Sequence, residues 1–206
     1  MTRAGLRGFG AALAVMGLLA AAAASAQSAP PTRIRGTIAS INGQDLTVKS
    51  RDGNTVAIKL APDYSVTAVV KADMSDITVG KFVGIAALPQ GSAPERALEV
   101  LIFPESARGS GEGHYAWDLM PESTMTNATI ADAVDKVEGR TVTLKHKDGE
   151  TRIAVPKDVP VVTFAPGDRS LLVADAGVMV PAAKQPDGTF TASRILVGKN
   201  GVKPPM

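Results

Sequence analysis

Apolar and polar residues alternate with a period of two along most of this chain, which predicts strands rather than helices. Ile34, Gly36, Ile38 and Ser40 share one face of a first strand, and Asn42-Gly43 follows as a turn. Leu46-Thr47-Val48 makes a second strand, ended by Asp52-Gly53, and Val56, Ile58 and Leu60 alternate with Thr55, Ala57 and Lys59 in a third. Asn-Gly and Asp-Gly between such runs predict tight hairpins of type I′, whose two central residues both need φ > 0. Val66 to Val70, Phe82 to Leu88 and Leu98 to Phe103 complete the set, with a single helical turn or loop over Asp73 to Val79.

The second half repeats the first. Gly43, Leu46-Thr47-Val48 and Asp52-Gly53 recur as Gly139, Val142-Thr143-Leu144 and Asp148-Gly149 at a constant offset of 96, and Val66-Thr67 recurs as Val162-Thr163. Val83, Pro89 and Gly91 match Val180, Pro186 and Gly188 at an offset of 97, and Ala97 and Ile102 match Ala192 and Val197 at 95. Turn, strand and turn align in order and the drift falls in loops, as duplication followed by small insertions would leave them. Five or six short strands in each copy would leave unpaired edges in an open sheet, so closure into a small barrel is expected. The sequence thus predicts an all-β protein of two duplicated OB-like small barrels, over 27–103 and 130–206, joined by a structured but irregular connector over 104–129. One two-sheet sandwich built from both copies is the alternative.

Composition adds an address. Arg3 and Arg7 precede an apolar run from Phe9 to Ala24, and Ala24-Ser25-Ala26 supplies small residues for cleavage before Gln27, so 1–26 reads as a signal peptide. A periplasmic or secreted protein without a later membrane span is expected. The chain carries 22 Lys and Arg against 20 Asp and Glu; removing Arg3 and Arg7 leaves 20 of each, which gives no electrostatic footprint for nucleic acid. With no Cys there are no disulfides, thiolate metal sites or Cys nucleophiles.

The connector concentrates the unusual chemistry. It holds the one Trp (Trp117), one of two Tyr (Tyr115) and one of two His (His114). Tyr115, Trp117 and Leu119, with Met120, are expected to anchor it, as interaction residues or as packing in the seam between the barrels. The competing reading is a metal site in which His114 joins Glu112, Asp118, Met120, Glu122 or Met125. Carboxylate with imidazole suits a divalent ion, and thioether with imidazole suits copper. His146 is expected to face solvent between Lys145 and Lys147. Gly109 to Gly113 lacks the ending of a phosphate loop. A hydrolase built on Ser123 or on paired carboxylates would lack a nucleophile elbow, and aromatics at 4% would not line a sugar cleft. Asn127-Ala128-Thr129 fits a glycosylation acceptor but reads as the turn before the second copy.

The opening Arg35-Gly36-Thr37-Ile38, the Gly43 turn and Leu46-Thr47-Val48 resemble a family of bacterial exported β-rich domains of unknown function. The connector, Gly113-His114-Tyr115-Ala116-Trp117-Asp118-Leu119 through Ser123 to Ala128, looks like its two-copy periplasmic subgroup. The resemblance implies a periplasmic address and a small-barrel fold, and brings no activity with it. Some similar sequences carry metal-transporter labels, which hints at a metal context only. The expected role is a non-enzymatic binding or envelope-interaction module with a protein or envelope component as partner. The alternative is a metal-binding accessory protein.

Overall fold

A computed structural model describes Met1, residues 31–136 and residues 139–204. The signal peptide expected over 1–26 and its cut before Gln27 lie, Met1 apart, outside these residues. Among the described residues no helix is long and apolar enough to cross a membrane.

Over the described residues the protein is all-β, with one closed five-stranded barrel and seven further strands. β1 (Thr32–Asn42), β2 (Asp45–Ser50) and β3 (Thr55–Lys71) run as an antiparallel meander. β3 then pairs in parallel with β12 (Phe190–Gly198), β12 pairs with β11 (Gly177–Lys184), and β11 returns to β1 and closes the ring. The alternating apolar residues point inward, and Ile38, Leu46, Val48, Ile58, Leu60, Val180 and Ile195 are buried there. Each contributes roughly 1.5–3 kcal/mol of burial. Side chains fill a barrel this small, so its interior is core and not a ligand cavity.

Local chemistry refines the expected strands. The register slips between Ile38 and Ser40, so Ser40 turns outward and Ile41 packs against the core in its place. Among the described non-glycine residues only Glu122, Asp175 and Asn200 have positive φ. Asn42 and Asp52 therefore do not, and the hairpins expected as type I′ are corrected: Gly43 (φ 59°) and Gly53 (φ 83°) alone take the left-handed conformation. The runs expected as separate strands at 56–60 and 66–70 are one 17-residue strand. Asp73 to Val79 contains the expected turn, a 3-10 turn over Met74–Asp76.

The ring does not close within 27–103. β4 (Phe82–Gln90) and β5 (Ala93–Ile102) leave the strands that precede them and join β7 (Thr124–Lys136), β8 (Gly139–His146) and β9 (Gly149–Pro156) in the order β5-β4-β7-β8-β9. β9 meets β5 over two residue pairs, Glu95 with Ile153 and Arg96 with Ala154. A second core lies along this path, with Val83, Ile85, Val100, Ile130, Val142, Leu144 and Ile153 buried. The length of β3 lets it serve two neighbours: Ile58 to Leu60 and Ser65 to Val69 pair with β12 in the ring, and Thr67 to Lys71 also pair antiparallel with β10 (Val161–Pro166), which itself runs beside β5.

The register of β3 against β10 follows the sequence offset of 96. Thr67 pairs with Pro166 and Val70 with Thr163. Thr67 and Thr163 are counterparts at the offset of 96, as are Val70 and Pro166. Each pair is thus the image of the other, and the two halves meet about a local two-fold. Beside it Val69, Leu101, Val162, Met179 and Leu196 form a third core, with Phe103 and Phe164 edge-on at 5.9 Å.

Candidate functional site

The connector is more regular than its composition predicts. Gly113–Ala116 forms a strand, β6, and residues 124–129 already belong to β7, so the expectation of irregular chain over 104–129 is corrected. Buried Thr126 and Ala128 share a side of β7 with Ile130 and the half-buried Thr124, and Met125 and Asn127 on the other side are buried too. With both faces covered, the hydropathy does not alternate, which hid the strand. β6 pairs with β7 through Gly113–Asn127, His114–Thr126, Tyr115–Met125 and Ala116–Thr124.

Ser123 ties the loop after β6. Its backbone oxygen accepts from Trp117 N at 2.7 Å, and its hydroxyl lies 2.7 Å from Met120 O and 3.0 Å from Trp117 O. The hydroxyl is buried and engaged with the backbone of the turn. Glu122 holds the same turn at φ 61°.

Two arginines of β1 and one in the turn after β2 receive the loop. The Arg33 guanidinium lies 3.8 Å over the Trp117 ring, and Arg35 Nη2 donates to Asp118 Oδ1 at 2.7 Å. Arg51 Nη2 reaches Leu119 O at 3.5 Å, and Tyr115 meets Trp117 edge-on at 6.0 Å. Partial burial pushes the Asp118 carboxyl up, but the Arg35 hydrogen bond and the Arg35 and Arg33 charges outweigh it, and the group is held below its ordinary value. Behind the loop, Glu99 on β5 is buried with neither oxygen accepting a hydrogen bond among the described residues. Burial pushes its carboxyl up to about 8 against the opposing charges of Arg35 and Arg51.

The six residues expected around a metal do not gather. Glu112 and Glu122 are exposed, Met120 is exposed on the loop, and Asp118 is committed to Arg33 and Arg35. Met125 is buried and alternates to the opposite side of β7 from Thr126, the residue His114 touches. Among the described residues no three His, Asp or Glu side chains already stand together as metal ligands.

His114 has other neighbours. Its Nδ1 lies 2.8 Å from Thr126 Oγ1 and its Nε2 3.7 Å from Glu95 Oε1 on β5. Its ring stacks near-parallel on that of His146, with centroids 6.0 Å apart. Glu95 Oε2 accepts from Thr124 Oγ1 at 2.8 Å, and His146 Nε2 lies 3.1 Å from Thr151 Oγ1 on β9. His146 Nδ1 is buried without a partner among the described residues. The expectation that His146 faces solvent is corrected: it shares a side of β8 with the core residues Val142 and Leu144. Five strands thus bring two imidazoles, a carboxylate and three threonines to one place. Sequence reasoning missed Glu95 and the threonines, which lie far from His114 in the chain. Period-two counting onward from Val142 and Leu144 would have placed His146. No family model, curated protein or solved structure matches this chain.

Proposed function

We propose that the protein is a non-enzymatic binding module of the bacterial envelope, and that it takes an extended segment of a partner protein onto the free edge of β6. One observation carries this reading: of the twelve strands, β6 alone has a single pairing neighbour among the described residues, whereas each of the others has at least two. A strand edge with free N–H and C=O groups is a template for another chain, and proteins that do not use one usually cover it. Here it sits in the connector, where His114, Tyr115 and Ala116 are exposed. A partner residue beside Tyr115 would lie on the side of Trp117, so an apolar residue fits there. The export signal expected over 1–26 supplies the envelope address.

The same reading takes the path β5-β4-β7-β8-β9 as a second OB-like barrel, the duplicate of the ring. The matching offsets and the local two-fold at β3 and β10 support it. Each barrel would then hold three strands from one half and two from the other, and the connector would be free to carry the interaction.

The test places a photo-reactive p-benzoylphenylalanine at Ala116 in cells, with the exposed Lys49 on β2 as control. The cross-linked partner peptide is identified, synthesised and added to the pure protein. We expect an adduct from position 116 and not from 49, and slowed amide exchange over 113–116 with the peptide bound. The same adduct from both positions, or unchanged exchange, overturns the reading.

A further inference from the structure

We propose that a divalent transition-metal ion binds between His114 Nε2 and Glu95 Oε1, with His146 as its third protein ligand. The proposal does not rest on strand addition at β6.

The first argument is the gap. At 3.7 Å, His114 Nε2 and Glu95 Oε1 stand too far apart for a hydrogen bond, for which about 3.2 Å is the usual limit. An ion about 2.0 Å from an imidazole nitrogen and about 2.1 Å from a carboxylate oxygen, at the tetrahedral angle, separates those two atoms by roughly 3.4 Å. The facing pair is already near that spacing.

The second argument is how the two donors are held. Thr126 engages the other nitrogen of His114 at 2.8 Å, and Thr124 donates to the other oxygen of Glu95 at 2.8 Å. A hydrogen-bonded second atom on each ligand fixes its orientation and leaves the first atom for the ion. Both threonines come from one strand, β7, on the side that also carries Ala128 and Ile130.

The third argument is His146. Thr151 occupies its Nε2, and its Nδ1 is buried with no partner among the described residues. A buried nitrogen without a partner carries a desolvation cost that a bound ion would remove. Two imidazoles on one ion place their ring centres roughly 5 to 6 Å apart; those of His114 and His146 are 6.0 Å apart. The rings now stack near-parallel, and no three ligands converge as they stand. His146 must therefore turn on binding, with water completing the shell. Imidazole with carboxylate and no thiolate selects zinc, nickel or copper(II) over magnesium or calcium.

The test uses the whole chain after signal removal, without a histidine tag, titrated with zinc by calorimetry and with cobalt(II) by visible absorption. The variants are His114→Ala, Glu95→Gln and His146→Gln, each checked by its melt without metal. We expect one zinc per chain, none for magnesium, and affinity lowered at least about tenfold by each variant, since even outer-shell losses cost that much. The cobalt band should weaken in His146→Gln. No zinc binding at millimolar metal, or full affinity in folded His114→Ala and Glu95→Gln, overturns the site. An unchanged cobalt spectrum in folded His146→Gln overturns the third ligand.

Discussion

Arg35 and Asp118 lie 83 positions apart, yet the buried guanidinium of one donates to the half-exposed carboxylate of the other at 2.7 Å. That bond fastens the connector to the barrel wall. Asp118→Asn should lower stability by about 1–2 kcal/mol at neutral pH, the low end for a charged hydrogen bond because Asp118 is half in water. The Asp118 carboxyl is held below its ordinary value, so its contribution is present above the ordinary aspartate range and lost as pH falls through the lowered value. Urea unfolding at pH 7 and pH 3 measures this, and the difference between wild type and Asp118→Asn should shrink at the lower pH.

Arg33 and Trp117 supply a second fastening that needs no carboxylate. Guanidinium over indole at 3.8 Å is a cation–π contact. A double-mutant cycle of Arg33→Ala and Trp117→Leu should show a coupling of about 0.5–1 kcal/mol. Additive losses would mean that Trp117 is held by other contacts.

Glu99 predicts an opposite dependence on pH. Its folded-state value of about 8 exceeds the ordinary 4.5, so the folded protein keeps a proton that the unfolded chain releases. Stability attributable to this group is full below about pH 4.5 and falls as pH rises through about 8, by at most about 5 kcal/mol. Melting temperature measured from pH 5 to pH 8 should decline in the wild type and lie flatter in Glu99→Gln. Equal slopes would mean that Glu99 is ionised in the fold.

The hairpins were readable because their strands bury one face each: Leu46 and Val48, or Ile58 and Leu60, stand out at every second position. β7 was hidden because Thr124 and Thr126 occupy its inner face where Val or Ile would have signalled a core. The exchange of strands between halves leaves no local trace. β4 and β11 carry residues that match at the sequence offset of 97, such as Val83 and Val180, so a similar edge is offered to β1 by either, and only the connections decide. The meeting of His114, Glu95 and His146 depends on that same topology.

Gly36 and Gly43 test the backbone of the ring for different reasons. A Cβ on Gly36 would stand 2.0 Å from Lys49 O, where β1 and β2 approach closely. Gly36→Ala should therefore force the strands apart and cost roughly 1–3 kcal/mol or more. Gly43 faces open space, and its φ of 59° is the only obstacle, so Gly43→Ala should cost about 1–2 kcal/mol. Gly43→Asn, which tolerates that conformation, should restore most of the loss, whereas no polar substitution should rescue Gly36. Chemical unfolding of the three variants separates the two causes.

The division of the ring between the two halves predicts what a cut in the connector does. Gly109 to Glu112 are exposed and lie between β5 and β6, so a protease site placed there breaks no strand. The first fragment would keep β1, β2 and β3, and the second β11 and β12, so neither could close the ring. Alone, the first fragment would expose Ile34, Ile38, Ile58 and Leu60, which the closed ring buries. The cut protein should therefore elute as one species in size-exclusion chromatography and separate into fragments only in denaturant. Its melt should become concentration-dependent, because refolding now joins two chains. Residues 27–108 expressed alone should show no cooperative melt until residues 113–206 are added. A first fragment that melts cooperatively by itself and ignores the second would mean that each half closes its own barrel, and the pairing of β3 with β12 would be wrong.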